Sequence, residues 1–218
     1  MLESILPIDE DRRLATLRGL NILDTPPEER FDSLTRIAQR CLDAPIVLIT
    51  LLDSNRQWFK SKQGLDTTET PRSVSFCGHA IHTDKAFVIS DSTLDSRFAD
   101  NPLVMGAPYI RFYAGQPLKA RNGSRLGTLC VIDTKPRQLS QADLGLLRDL
   151  GGLIECELNL RDALDERDAM LLDSAAIMSA TINSAMDAVM QMDTQGTISG
   201  WNHQAETIFG WTDRKSVV

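Results

Sequence analysis

A chain of 218 residues with 42% hydrophobic and 24% charged residues has the apolar material for one or two packed domains. A net charge of -7 argues against a surface that binds by neutralising phosphates, which needs clustered Lys and Arg, and so against nucleic acid as a partner. No stretch approaches the roughly 20 apolar residues that cross a bilayer, and the reading is a cytoplasmic protein with no membrane partner. Cys41, Cys77, Cys130 and Cys156 lie far apart with no CxxC pair, so neither a zinc knuckle nor a disulfide framework is expected, and reduced thiols are the default.

In chain order, residues 1–24 form an N-terminal helical segment, with Leu14, Leu17 and the Leu20–Leu23 cluster at helical spacing. Thr25-Pro-Pro-Glu28 reads as a capping box opening a helix to about Leu42 that buries Phe31, Leu34, Ile37, Ala38 and Cys41. Ile46–Leu52 is a nearly unbroken apolar run, as in a central strand covered on both faces, and Asp53-Ser-Asn-Arg56 turns it into a neighbour over Gln57–Lys62. Gly64–Val74 reads as a polar loop, Phe76–Thr83 as a short helix, Phe87–Ser90 as a short strand, and Asp95–Met105 as a loop with one helical turn. Asn122-Gly123 predicts a tight turn between strands over Ile110–Leu118 and Leu126–Ile132. Both strands carry apolar residues on both faces, which requires cover on each side of the sheet.

Ser140 with Asp143 opens a further helix with no Pro after Pro136, so helix continues to about Ser184. Its heptad positions are Leu147, Ile154, Arg161, Asp168, Ala175 and Ile182 (a) with Leu150, Glu157, Leu164, Leu171, Met178 and Ala185 (d). Nine of these twelve are apolar, which favours a coiled coil over 162–184 and a homodimer through the 140–184 helix over a helix folded back on its own domain. Asp162, Asp165, Glu166 and Asp168 are read as a solvated face.

Three phrases, Ser75-Phe-Cys-Gly-His-Ala-Ile81, Arg111-Phe-Tyr-Ala-Gly-Gln-Pro-Leu118 and Leu126-Gly-Thr-Leu-Cys-Val-Ile-Asp133, resemble in order and spacing a GAF sensor domain. The resemblance takes in Glu29-Arg-Phe-Asp32, Gln57-Trp-Phe-Lys60 and Glu69-Thr-Pro-Arg72. It implies an α/β (α+β) fold over 25–161, a mainly antiparallel sheet flanked by helices, followed by the long connecting helix. The stretch 185–218, with Ala188-Val-Met-Gln-Met-Asp193, Ile198-Ser-Gly-Trp-Asn202 and Ile208-Phe-Gly-Trp211, resembles the opening of a PAS domain. A fragment under about 40 residues rarely holds a core alone, and the ending Asp213-Arg-Lys-Ser-Val-Val218 departs from the usual continuation, which suggests truncation or a frameshift.

Chemistry is sparse. Cys77, His79 and His82 are near enough in sequence to face one metal, but a site needs a third or fourth ligand, and packing roles are favoured, so no metal is expected. Phe76-Cys77-Gly78 also resembles the free methionine sulfoxide reductases, which share the GAF fold; where those carry a second cysteine this chain has Ser90, a poor nucleophile toward sulfoxide sulfur. No Cys-His dipeptide offers the bilin attachment seen in phytochrome-like members, haem has only His79 or His82 as an axial ligand, and the cofactor is left unknown. No Gly-rich phosphate loop, nucleophile elbow or paired-carboxylate pattern is present, so no catalytic residue is assigned.

A ligand site is read from Trp58, Arg72, Phe76, Cys77, His79, Asp91, Arg97, Phe98, Arg111 and Tyr113, polar groups set among aromatic ones as in small-molecule pockets. The resemblance implies binding between the sheet and Phe76–Met105. The leading expectation is a dimeric, non-catalytic sensory module whose GAF domain detects a small molecule and signals through the helix to PAS and an output domain, a histidine kinase or a cyclic-di-GMP enzyme. A ligand-free dimerisation module and a redox enzyme are the alternatives.

Overall fold

The computed structural model describes residues 2–210, excepting the side chains of 161–166, 168, 169 and 199. The heptad positions Arg161, Leu164 and Asp168, the acidic group Asp162, Asp165, Glu166 and Asp168, and the ending from Trp211 therefore lie outside the described residues. The chain divides into two compact units, Met1–Asp162 and Ala163–Val218.

The first unit is built on six antiparallel strands, β1 (Ile46–Leu52), β2 (Arg56–Gln63), β3 (Glu69–Pro71), β4 (Phe87–Ile89), β5 (Phe112–Lys119) and β6 (Arg125–Asp133), in the order β3-β2-β1-β6-β5-β4. All seven residues of β1 are buried, as its unbroken apolar run requires of a strand covered on both faces. Alternation sends Val47, Ile49 and Leu51 into one core and Ile46, Leu48 and Leu52 into the other. Gly127 of β6 admits no side chain, since a Cβ there would overlap the Thr50 carbonyl oxygen of β1.

Helices α1 (Glu10–Gly19), α2 (Glu29–Cys41) and the first part of α5 (Gln141–Ser184) cover the first face. Leu17, Phe31, Ala38, Leu147, Leu150, Ile154 and Leu158 join Val47, Ile49, Leu129 and Val131 there. Each of these side chains larger than Ala38 contributes about 1.5–3 kcal/mol through burial. Short α3 (Phe76–Ala80), α4 (Pro102–Met105) and their loops cover the second face, where Phe76, Ile81, Phe98, Val104 and Tyr113 pack on Leu48 and Cys130.

Several expectations are corrected. Helix α2 starts at Glu29, after the expected capping box, because the Thr25 hydroxyl is engaged elsewhere: it donates to the Ile22 carbonyl and accepts from Lys60. The buried stripe of α2 is narrower than expected, with Ile37 and Cys41 exposed. The loop 64–74 contains edge strand β3, which three polar-flanked residues do not announce. At the hairpin only Gly123 has positive φ, and paired bonds Gly123 N to Ala120 O and Ala120 N to Ser124 O make a longer loop than the two-residue turn expected. The most consequential correction concerns α5. Leu147, Leu150 and Ile154, assigned to an intermolecular seam, are buried in the chain's own core, leaving Leu153 and Leu160 about half exposed instead.

Helix α1 is anchored by charge as well as by Leu17. The Glu10 carboxylate takes two hydrogen bonds of 2.7 Å from Arg13 and one from Arg72, and Arg72 also donates to the Asp53 carbonyl at 2.9 Å. Burial pushes the Glu10 carboxyl up, but the two guanidinium groups outweigh it and hold the pKa at about 2, against 4.5 ordinarily.

In the second unit, the end of α5 is followed by the hairpin β7 (Met190–Met192) and β8 (Ile198–Trp201) and by α6 (His203–Phe209). Fully buried Asn202 ties these together. Its amide donates to the Ile182 and Asp187 carbonyls and accepts from the Val189 and Ala205 N–H groups, all at 2.9–3.0 Å.

Two outcomes are expected. With its folded pKa depressed, Glu10 stabilises fully above about pH 4.5, and this is lost as pH falls toward about 2; Glu10→Gln should cost on the order of 2 kcal/mol at neutral pH and almost nothing near pH 2, measured by denaturant melts across pH. Asn202→Leu removes four hydrogen bonds to backbone groups and should cost about 3 kcal/mol within the second unit, read as faster amide exchange at Val189 and Ala205 with the first unit unchanged.

Candidate functional site

The second face of the sheet brings together five of the ten residues proposed from sequence. Phe76 stacks on Phe98 with ring centroids 4.2 Å apart and on Tyr113 at 5.2 Å, His79 meets the Phe98 ring edge-on at 4.8 Å, and the Tyr113 hydroxyl donates to the Cys77 sulfur at 3.2 Å. These groups fill space: Phe76, Cys77, Phe98 and Tyr113 are all at most 3% exposed. The Nε2 atoms of His79 and His82 meet the carbonyls of Leu2 and Ile5 at 3.1 and 2.8 Å, so both rings hold the N-terminal segment across α3.

Of the other five, Arg97 borders this cluster and the rest serve elsewhere. Trp58 points to the opposite face, because β2 turns Gln57 and Phe59 toward α3 and Trp58 toward α2. Arg72 is committed to Glu10 and Asp53. Asp91 caps its own loop by accepting from the Thr93 hydroxyl and amide, which hold its carboxyl below the usual range. Arg97 pairs with Asp95 at 2.6 Å and lies over the Phe87 and Phe98 rings. Arg111 donates to the Val104 and Ile110 carbonyls at 2.9 and 3.0 Å. As a set these ten residues do not form one pocket.

The open space on this face lies over β1 and β2 instead. A cavity of about 270 Å³ has Ile46, Leu48, Phe59 and Ile132 as its floor, Leu65, Asp66, Thr67 and Thr70 on one side, and Leu103, Ala107, Pro108 and Ile110 on the other. Gln57 closes one end, its carboxamide oxygen accepting from the Ser75 hydroxyl at the start of α3. The Thr70 hydroxyl oxygen is buried with no hydrogen-bond partner. Asp66 is the sole charged residue lining the cavity and no cation lines it. None of the ten residues borders it. The signal that existed in the sequence was alternation: Ile46, Leu48 and Ile132 share the face of Cys130.

A larger cleft of about 470 Å³ on the other face is lined by Trp58, Asp32, Arg36, Lys60 and Ser61 among others. Its polar groups satisfy one another: Lys60 donates to Thr25 and the Pro26 carbonyl, and Ser61 to Asp32. The apolar cavity, with its unpaired hydroxyl, is the better ligand site.

Among the described residues no group of three or more His, Cys, Asp and Glu is arranged to hold a metal, and no helix is long and apolar enough to cross a membrane.

Residues 26–158 match the family model described as GAF domain and residues 176–218 that described as PAS fold. A cyclic di-GMP phosphodiesterase of Pseudomonas aeruginosa is 43% identical over 154 residues, 70% of this chain and 26% of the relative, so the chain spans about a quarter of that protein's length. The GAF domain of an Acinetobacter phosphoenolpyruvate-protein phosphotransferase superposes with a TM-score of 0.50 at 21% identity, covering 68% of this chain and 93% of that one. The free methionine-R-sulfoxide reductase of Neisseria meningitidis, solved with its substrate, gives 0.51 at 16% identity over 76% and 98%. Such identities speak to the fold alone. With the GAF model spanning more than half of its length and a PAS match behind it, this chain belongs to the GAF domain family.

Proposed function

We propose that this chain is the sensory part of a cytoplasmic signalling protein, in which a small, neutral and largely apolar molecule occupies the 270 Å³ cavity and alters the packing of α5. The observation that carries this reading is the lining itself: apolar floor and walls, one unpaired buried hydroxyl, and no cation. Phosphate-bearing ligands such as cyclic nucleotides need Arg, Lys or clustered N–H groups, so the lining selects against them. At this size the cavity takes a molecule of modest dimensions, below the usual 300–1,000 Å³ of drug-sized sites.

Occupancy has a route to α5. The cavity floor belongs to β1 and β6, whose opposite faces bear Val47, Ile49, Leu129 and Val131 packed with Leu147, Leu150 and Ile154. On this reading α5 is also the homodimer interface, through the exposed apolar residues Leu153, Leu160, Leu171 and Met178, and passes the change to the PAS region. The relative's printed activity supports a cyclic-di-GMP enzyme as the output rather than a histidine kinase, with this part of the protein regulatory and not catalytic.

Native mass spectrometry of the gently purified chain tests the proposal. A dimer carrying a small neutral molecule is expected, and Ala107→Trp, placed at the exposed cavity rim, should lose the molecule while remaining folded and dimeric. A chain that retains nothing, and whose melting temperature no small apolar compound raises more than that of Ala107→Trp, overturns ligand sensing and leaves a dimerisation module. Separately, Thr70→Val removes an unpaired buried hydroxyl and should stabilise the empty protein by about 1 kcal/mol in thermal melts, while weakening about tenfold a ligand that hydrogen-bonds there.

A further inference from the structure

One end of the apolar cavity is polar. Gln57 of β2 and Thr70 of β3 stand directly opposite each other in their antiparallel pair, so both side chains leave the sheet on the cavity face, and both line the cavity. Gln57 is only 6% exposed, and its carboxamide is held at one atom. The Ser75 Oγ already accepts from the Gly78 N–H at 3.1 Å, so its own proton goes to the Gln57 Oε1. That leaves the Gln57 Nε2 group with no hydrogen-bond partner among the described residues. The Thr70 hydroxyl next to it is unpartnered as well. Donors kept from water and left unused cost free energy, and the bond to Ser75, which engages only the oxygen, does not account for the nitrogen.

Away from this end the lining turns apolar. Along the strands Gln57 is followed on the cavity floor by Phe59, then Leu48, then Ile46 with its partner Ile132. An unpaired carboxamide N–H calls for an acceptor. With Asp66 the sole charged residue of the lining, an anionic acceptor would lose its hydration and gain no counter-charge. A neutral carbonyl oxygen meets both conditions.

Granted a small molecule in the cavity, as proposed above, we propose that it is a neutral carbonyl compound, a ketone, ester or amide on a compact hydrocarbon body, whose carbonyl oxygen accepts from Gln57 Nε2 while the hydrocarbon lies over Phe59, Leu48 and Ile46. Rotation about its Cα–Cβ bond brings the Thr70 hydroxyl to the same oxygen as a second donor. A carboxamide that donates through its nitrogen becomes a better acceptor at its oxygen, so binding tightens the bond from Ser75, the residue that caps α3. The carbonyl end of the ligand thus bears on α3, and its hydrocarbon body on β1.

Cyclooctanone and methylenecyclooctane, which share a shape and differ in the acceptor, are titrated into the full chain and followed by NMR at the Leu48 and Ile132 methyl groups and the Gln57 side-chain amide. Cyclooctanone is expected to move all three along one binding curve, and methylenecyclooctane the methyl groups alone. Gln57→Met should weaken cyclooctanone about tenfold, whereas Ser75→Ala, which removes the bond to Gln57 but keeps its N–H donors, should stay within about threefold. Cyclooctanone that binds Gln57→Met as well as the parent chain, that loses as much in Ser75→Ala, or that saturates the methyl shifts with the Gln57 amide unmoved overturns the carbonyl contact and leaves the cavity reading standing; the last of these is read on the parent chain and does not depend on a variant folding. Methyl shifts with methylenecyclooctane and none with cyclooctanone have the same meaning. Methyl groups that respond to neither compound overturn the occupancy of the cavity and the carbonyl contact together.

Discussion

Everything in the first unit depends on central strands that are buried on both faces. β1, β6 and β5 expose neither side of their pleat, so every successive residue belongs to a different core, and a slip of one residue would exchange the two environments completely. Backbone contact fixes the register. Gly127 lets β6 lie against the Thr50 carbonyl, and the Thr50 and Thr128 hydroxyls meet directly across the same pair. That precision separates two tasks. The face toward α1, α2 and α5 is mostly aliphatic and supplies cohesion, while the face toward α3 and α4 carries the aromatic stack, two buried thiols and the cavity.

The sequence was most legible where a physical demand leaves few solutions. The apolar run of β1, the two-faced patterns of β5 and β6, and the length of α5 all follow from periodicity and composition. The three phrases shared with GAF domains coincide with α3, β5 and β6, the elements that build the second face. Parity was harder to read. In β2 the register shifts opposite Ile49 and Thr50, and Trp58 rather than Phe59 looked like the binding aromatic; the structure turns Trp58 the other way. Arg97, Arg111 and Asp91 were attractive as ligand contacts because of their charge, yet each satisfies a loop backbone or a near neighbour. Of the cavity only the shared face of Ile46, Leu48 and Ile132 was legible, because its walls come from segments distant in sequence and its floor residues look like any core. Asn202 was legible in principle, as a cap residue preceding a helix, though its four-way role depends on where Ile182 and Asp187 lie.

The heptad pattern of α5 shows why periodicity underdetermines packing. Leu147, Leu150, Ile154 and Leu158 make a stripe that suits a partner helix or a sheet equally well, since both require apolar residues at three- and four-residue spacing. The sheet prevails in the first unit because the apolar face of β1, β6 and β5 has to be covered, and α5 reaches it after the short connection from β6 at Asp133 to Gln141. Polar bonds then fix the helix lengthwise: Glu155 accepts from the Lys119 amide and Asn159 from the Arg121 amide, both at 2.8 Å, at the end of the β5–β6 hairpin.

These clasps give β5 a particular mechanical position. One end of the strand continues from Ile110, a cavity wall whose carbonyl is bound by Arg111 and Ser92, and the other end is Lys119, bound to Glu155 of α5. A paired strand buried on both faces is stiff, because bending it would break ladder bonds and disturb two cores at once. A displacement of the 103–110 wall therefore has less freedom to dissipate within β5 than to shift the hairpin end against α5. The available energy is bounded: an occupant can bias α5 only by the difference in its affinity for the two arrangements, and about 1.4 kcal/mol of difference changes their ratio tenfold. A small cavity with one free hydroxyl can supply a difference of that order if the wall closes on the bound molecule. Because the clasps at Lys119 and Arg121 are a few hydrogen bonds to backbone groups, a bias of this size is comparable to the contribution of one of them.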